Sequence, residues 1–151
     1  MRLVIQRVAE ASVTIDGRLH SAIGRGLMAL VGVETGDTEA DADWLAAKTA
    51  GMRIFPDEQG VMNVAIADVP GAEVLAVSQF TLTASTRKGN RPSYIRAAGH
   101  DVAVPMYEAY CQKLECLLGR PVKRGVFGAD MQVALINDGP VTIVIDSRLR
   151  E

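Results

Sequence analysis

The chain has 151 residues, of which 48% are hydrophobic, 23% charged and only 5% aromatic, with a formal net charge of −2. That length reads as a single domain over 1–151, able to bury a core without metal or disulfide staples. The charge balance excludes a global basic field for nucleic acid, and no apolar run approaches the roughly 20 residues of a membrane span.

In chain order, Arg2–Val8 reads as a strand carrying Leu3, Val4, Ile5 and Val8. Ser12–Ile15 and Arg18–Ile23 flank Asp16-Gly17, a two-residue hairpin signal. Leu27–Val33 is a near-continuous apolar run, too short for a helix and therefore a buried strand. Thr38 and Asp41 have capping-box spacing, which predicts a helix to about Met52 with Ala42, Leu45, Thr49 and Met52 facing inward. Arg53–Phe55 and Val61–Val64 bracket the turn residues Pro56-Asp57-Glu58-Gln59-Gly60, and Pro70-Gly71 precedes a strand over Glu73–Thr83. Ala84–Asp101 has few strand signals and reads as a long loop. A second helix is expected over Val104–Leu118, with Pro105 in its first turn, Met106, Tyr110, Leu114 and Leu117 as its stripe, and Gly119 ending it. Val122–Lys123 reads as a short strand and Gly125–Asp130 as a loop. Many hairpin turns and two helices predict an α+β domain with mainly antiparallel, barrel-like sheet.

Near the C-terminus, Asn137-Asp138-Gly139-Pro140-Val141-Thr142 separates the apolar runs Met131–Ile136 and Ile143–Ile145. Both runs read as buried strands, and Asx-Gly between them is a strong hairpin signal. Pro140 breaks the ordinary hairpin, because it brings no N–H to a returning strand. A cis Gly139–Pro140 bond costs only about 0.5–1 kcal/mol and would turn both carbonyls outward together as a receptor for an ammonium group. On local grounds a trans-Pro turn without function leads, since roughly one X-Pro bond in twenty is cis.

Chemistry is sparsely marked elsewhere. His20 and His100 are the two imidazoles, and neither sits in a nucleophile motif, so both read as surface residues. No H-E-x-x-H, C-x-x-C or Gly-rich phosphate loop is present, so no metal and no cofactor are expected. Cys111 and Cys116, five apart in a helix, face different ways and read as reduced in a cytoplasmic protein. In Ser78-Gln79-Phe80-Thr81-Leu82, polar residues interrupt a buried run. They mark either a strand end facing a cavity or a half-exposed strand, and a nucleophilic Thr or Ser would need a base that is not visible nearby. Thr86–Pro92 with Arg96 places four cations in one loop, suited to phosphates or to solvent, while Tyr94 as its lone aromatic argues against a base-stacking platform.

These stretches, with Ile5-Gln6-Arg7-Val8, Asp41-Ala42-Asp43-Trp44-Leu45, Arg53-Ile54-Phe55 and Phe127-Gly128-Ala129-Asp130-Met131, closely resemble the D-aminoacyl-tRNA deacylases over nearly the whole chain. Two of them, S-Q-F-T-L and N-x-G-P-x-T, are that family's signature motifs. The resemblance implies a cytoplasmic homodimer hydrolysing the ester between a D-amino acid, or mischarged glycine, and the tRNA 3′ end. It implies a cis Gly139–Pro140 inserted into the partner subunit's site to reject L-amino acids, with Arg7 holding its orientation. By the same resemblance Ser78, Gln79, Phe80 and Thr81 line the site of the terminal adenosine and scissile ester. Phe127 and Met131 are assigned to the adenine pocket or the core, Asn137 and Thr142 to bracing the turn, and Arg87, Lys88 and Arg91 to tRNA phosphates. Attack by water, assisted by the 2′-hydroxyl of the terminal ribose, is the expected mechanism.

Overall fold

The computed structural model describes residues 1–150. Its organising element is β1 (Arg2–Ile15), a single 14-residue strand that the sequence pattern divides in two. The apparent break is a change of phase. Leu3 and Ile5 join one core and Val8, Ala11 and Val13 a second, and the register against the neighbouring strand shifts at Gln6/Val8 and again at Val8/Glu10. The first shift comes from extra residues in the neighbouring strand and leaves the alternation of β1 intact, so Val8 faces away from Ile5. The second is an extra residue in β1 itself, which keeps Ala11 and Val13 on the side of Val8, so one strand serves both cores.

Around it lie β2 (Arg18–Ile23), β3 (Gly26–Gly32), β6 (Glu73–Ser78), β7 (Lys123–Arg124) and β8 (Gln132–Asp146). They form a six-stranded sheet in the order β2-β1-β3-β6-β7, with β8 also paired to β1. β1 is antiparallel to β2, β3 and β8, whereas β3–β6 and β6–β7 are parallel. The sheet is thus mixed, strongly curled and barrel-like, with β4 (Phe55–Pro56) and β5 (Met62–Val64) as a separate small ladder.

Helix α1 (Glu39–Gly51) starts where expected, its Asp41 carboxylate accepting the Thr38 N–H at 2.8 Å. It buries Ala42, Leu45, Ala46, Thr49 and Ala50, while Met52 is its C-cap rather than a member of its inward face. Helix α2 (His100–Leu118) starts four residues earlier than expected, so Pro105 lies inside it and not in its first turn. That proline removes the bond to the carbonyl of exposed Asp101, a group that water can satisfy. The buried stripe is Ala103, Tyr107, Tyr110, Cys111, Leu114 and Leu118; Met106 is half-buried and Leu117 exposed. Two tyrosine hydroxyls explain the rotation, Tyr107 donating to the Ala76 carbonyl in β6 and Tyr110 meeting Thr49 of α1 at 3.0 Å. Among the described residues, no helix is long and apolar enough to cross a membrane.

Two further expectations are corrected. The strand from Glu73 ends at Ser78, and Phe80–Thr83 is a 3₁₀ turn. The C-terminal runs are not the arms of a hairpin but one 15-residue strand, β8, both halves of which pair with β1. Their outer face is open rather than buried, with Ile136 and Val144 exposed.

Candidate active site

The cavity that matters forms where β6 stops. Its last ladder pair is Val31↔Ser78, after which the Gln79 N–H bonds the Val31 carbonyl at 2.8 Å and the chain coils into the 3₁₀ turn. Beside this turn opens a cavity of about 430 Å³, lined by Ser78, Gln79 and Phe80 on one side and by Phe127 and Met131 on another. Its lining is mostly apolar with few polar groups, the usual makeup of a small-ligand site. Among the described residues, the Phe80 N–H has no backbone acceptor, which leaves a donor free at the turn.

Thr81 does not line this cavity. Its hydroxyl sits 2.5 Å from the Gln79 side-chain nitrogen, and among the described residues no histidine, carboxylate or lysine bonds to Ser78 or Thr81. A hydroxyl without a base is a poor nucleophile.

Two arginines hold the turn: Arg2, which the sequence pattern gives no reason to single out, and Arg96, grouped by sequence with the cations of the basic loop. Arg2 donates to the Leu82 carbonyl at 2.9 Å and forks onto Asp146 at 3.0 and 2.8 Å. Burial pushes the Asp146 carboxyl up, but the Arg148 backbone N–H and the Arg2 guanidinium outweigh it and hold the group below its ordinary value. From the other side Arg96 donates to the Thr83 carbonyl at 3.3 and 3.2 Å. His100 is exposed, as the sequence predicts, but does not lie in a loop. It is the first residue of α2, lines the cavity, and meets the Phe127 ring edge-on at 5.1 Å, with Tyr107 against the same ring at 5.9 Å.

The second group of expected residues lies elsewhere in the chain. Gln6 pairs with Thr142 and Val8 with Asn137, so Arg7 alone stands opposite Asp138–Val141. Those four residues bulge out of β8, and the Gly139–Pro140 peptide within them is cis. Asn137 closes the bulge, accepting the Val141 N–H at 3.2 Å and donating to the Thr142 hydroxyl at 3.0 Å. Arg7 reaches in from β1. Its Nε bonds the Asp138 carbonyl at 3.2 Å and pairs with its carboxylate at 3.1 Å, while Nη1 donates to the Ile54 carbonyl at 2.6 Å. None of Arg7, Asn137, Gly139, Pro140 or Thr142 lines the cavity of its own chain.

Arg87, Lys88 and Arg91 are exposed in a loop closed by reciprocal Ser85–Ser93 backbone bonds of 2.8 and 2.9 Å, and among the described residues none is in an ion pair. Cys111 is buried, which pushes its thiol up to about 12 and leaves it inert; Cys116 is exposed.

Comparison with known proteins points to one family. A D-aminoacyl-tRNA deacylase of Phocaeicola vulgatus is 60% identical over all of both chains, and one of Parabacteroides distasonis is 58% identical over the same extent. A solved structure titled c-Myc DNA Unwinding Element Binding Protein superposes with a TM-score of 0.91 at 40% identity, covering 97% of this chain and 98% of that one. The model describing D-Tyr-tRNA(Tyr) deacylases matches residues 4–146, a span that holds both the cavity and the cis-proline bulge, and the chain belongs to that family.

Proposed function

We propose that the chain is a hydrolase that cleaves the ester between a D-amino acid and the 3′ end of its tRNA, and that it also clears mischarged glycine. The observation that carries this reading is the cavity beside the S-Q-F segment with a free Phe80 N–H at its wall. The terminal adenosine enters that cavity between Phe80 and Phe127, and the Phe80 N–H, preorganised by the turn, meets the oxyanion that forms as the ester is attacked. Water is the nucleophile, assisted by the 2′-hydroxyl of the terminal ribose, since among the described residues no base is hydrogen-bonded to Thr81 or Ser78. An aminoacyl ester is already activated, so positioning supplies much of the acceleration.

The chiral filter is the bulge at Gly139 and Pro140. Its carbonyls grip the substrate's α-ammonium, and its backbone occupies the space of an L side chain. Glycine has nothing to exclude and leaks through. Because the bulge does not line the cavity of its own chain, it acts in the site of a second copy within a cytoplasmic homodimer, with Arg7 fixing its orientation. Arg87, Lys88 and Arg91 lie against tRNA phosphates.

One assay tests the reading. Release of amino acid is followed from D- and L-aminoacyl-tRNA, with the terminal ribose carrying a 2′-hydroxyl or 2′-hydrogen. Rapid D hydrolysis, negligible L hydrolysis and a severe loss with the 2′-deoxy substrate are expected. Binding of tRNA with no release would favour a purely nucleic-acid-binding role, the property for which the 40%-identical relative is titled. Equal rates on both enantiomers would remove the filter.

A further inference from the structure

The chain has three tyrosines, and two of them serve the core. Tyr107 and Tyr110 are buried and both hydroxyls are bonded. Tyr94 differs. It is 41% exposed, and among the described residues its hydroxyl makes no hydrogen bond. Its ring meets Phe80 at a centroid distance of 5.1 Å and an interplanar angle of 68°, and Phe80 is itself 57% exposed while lining the cavity. Fourteen residues apart in sequence, the two rings form one aromatic step at the cavity's rim.

The step is fixed. Arg96 holds the Tyr94 segment to the 3₁₀ turn through the Thr83 carbonyl, and the Ala97 N–H bonds the Tyr94 carbonyl at 2.9 Å. Directly before Tyr94, the Ser85–Ser93 bridge closes the loop bearing Arg87, Lys88 and Arg91. A patch of exposed aromatic surface next to unpaired cations is the composition that binds single-stranded nucleic acid, stacking on bases and pairing with phosphates. The sequence shows one aromatic in this loop and gives no reason to expect the second, because Phe80 arrives from another element.

We infer that Phe80 and Tyr94 form a stacking subsite for the base of the penultimate nucleotide of the RNA 3′ end, the phosphates beyond it passing to the basic loop. The inference rests on the deacylase reading, which places the terminal nucleoside in the adjoining cavity. A strand leaving that cavity past Phe80 meets Tyr94 next. The subsite is sequence-tolerant, because every base presents a π-face.

The test is a length series. Hydrolysis is measured for D-aminoacyl-adenosine, for the same ester on a cytidylyl-adenosine dinucleotide, and on a dinucleotide that is abasic at the penultimate position. For the wild type, kcat/KM should rise on adding the intact nucleotide and rise less with the abasic one. Tyr94→Ala should lower kcat/KM on the intact dinucleotide roughly 5- to 150-fold more than on the adenosine ester, the range matching 1–3 kcal/mol per stacked base. Tyr94→Trp should retain the gain. Equal loss on both substrates, a gain surviving Tyr94→Ala, or a change in oligomeric mass on that substitution would overturn the stacking role. Should the wild type hydrolyse none of the three, the deacylase reading falls. Anisotropy of a labelled RNA ending in the same dinucleotide, bound by wild type and Tyr94→Ala, then decides the stacking alone.

Discussion

Arg7 shows how a single side chain can matter more to geometry than to stability. Its bond to the Ile54 carbonyl is buried, and a charged donor in such a bond contributes about 1.5–3 kcal/mol. Its partner Asp138 is half exposed, and an ion pair of that kind contributes only about 0–1 kcal/mol. Removing the guanidinium therefore costs a moderate amount of stability, a fall in Tm of roughly 3–12 °C for a domain of this size. The same side chain is also what touches the bulge: a Cβ on Gly139 would lie 2.9 Å from its Nη2, and Gly139 has a φ of +128° that L residues rarely adopt. Arg7→Ala is therefore expected to fold, to melt several degrees lower, and to lose at least tenfold in D-aminoacyl-tRNA hydrolysis. Arg7→Lys should recover part of the stability and little of the activity, since one ammonium cannot reach Ile54 and Asp138 together. Thermal unfolding beside the hydrolysis assay checks both; full activity in Arg7→Ala would show that the bulge needs no brace from β1.

At the scale of elements, two glycines on β3 separate fold from site. A Cβ on Gly26 would lie 1.8 Å from the Glu73 carbonyl oxygen, a backbone atom that cannot yield without breaking the β3–β6 ladder. A Cβ on Gly32 would sit 2.9 Å from the Leu82 Cβ and 3.2 Å from the Gln79 carbonyl, pressing on the 3₁₀ turn. Overpacking of this kind costs about 1–3 kcal/mol. Gly26→Ala should mainly lower Tm, and Gly32→Ala should lower kcat/KM out of proportion to its Tm, because the turn it displaces carries the Phe80 N–H. Matched losses in the two variants would dissociate the turn from catalysis. The same elements show what the sequence makes legible. Caps, Gly stops and apolar runs located α1, β3 and β6, because those signals act within a few residues. What stayed hidden depends on partners far along the chain. β1 and β8 each read as two pieces because bulges interrupt them, and although the family resemblance names Arg7 and Asn137 as braces of the turn, their distance in sequence hides the bonds by which they do it. Arg2 carries no local mark, and the marks on Arg96, as a loop cation, and on His100, as an imidazole, say nothing of the turn and cavity that only the fold brings them to.

At the scale of the whole molecule, the outer face of β8 is the surface that a solitary chain leaves unexplained. β8 pairs with β1 alone and is otherwise an edge, and edges of this length are normally covered or charged. Here the exposed positions include Ile136 at 55% and Val144 at 64%. Val144 sits directly across from Val4 in the ladder, and Val4 across from Leu30, so an apolar row crosses three strands. The next row toward the bulge is Gln6 and Thr142, joined at 3.3 Å, and the bulge itself follows. An apolar patch rimmed by polar residues beside a protruding backbone segment has the character of a protein–protein contact. If the bulge works in a second copy, this row is what seats it. Val144→Glu then places a charge at the middle of a dry contact without disturbing either core, since the side chain points outward. In sedimentation equilibrium the wild type should run at twice the 16.2 kDa chain mass and the variant at once that mass. Deacylation by the variant should fall with the dimer population and recover as protein concentration rises. A wild type that stays monomeric at every concentration while hydrolysing D-aminoacyl-tRNA would mean that each chain completes its own site, and the bulge would need another role.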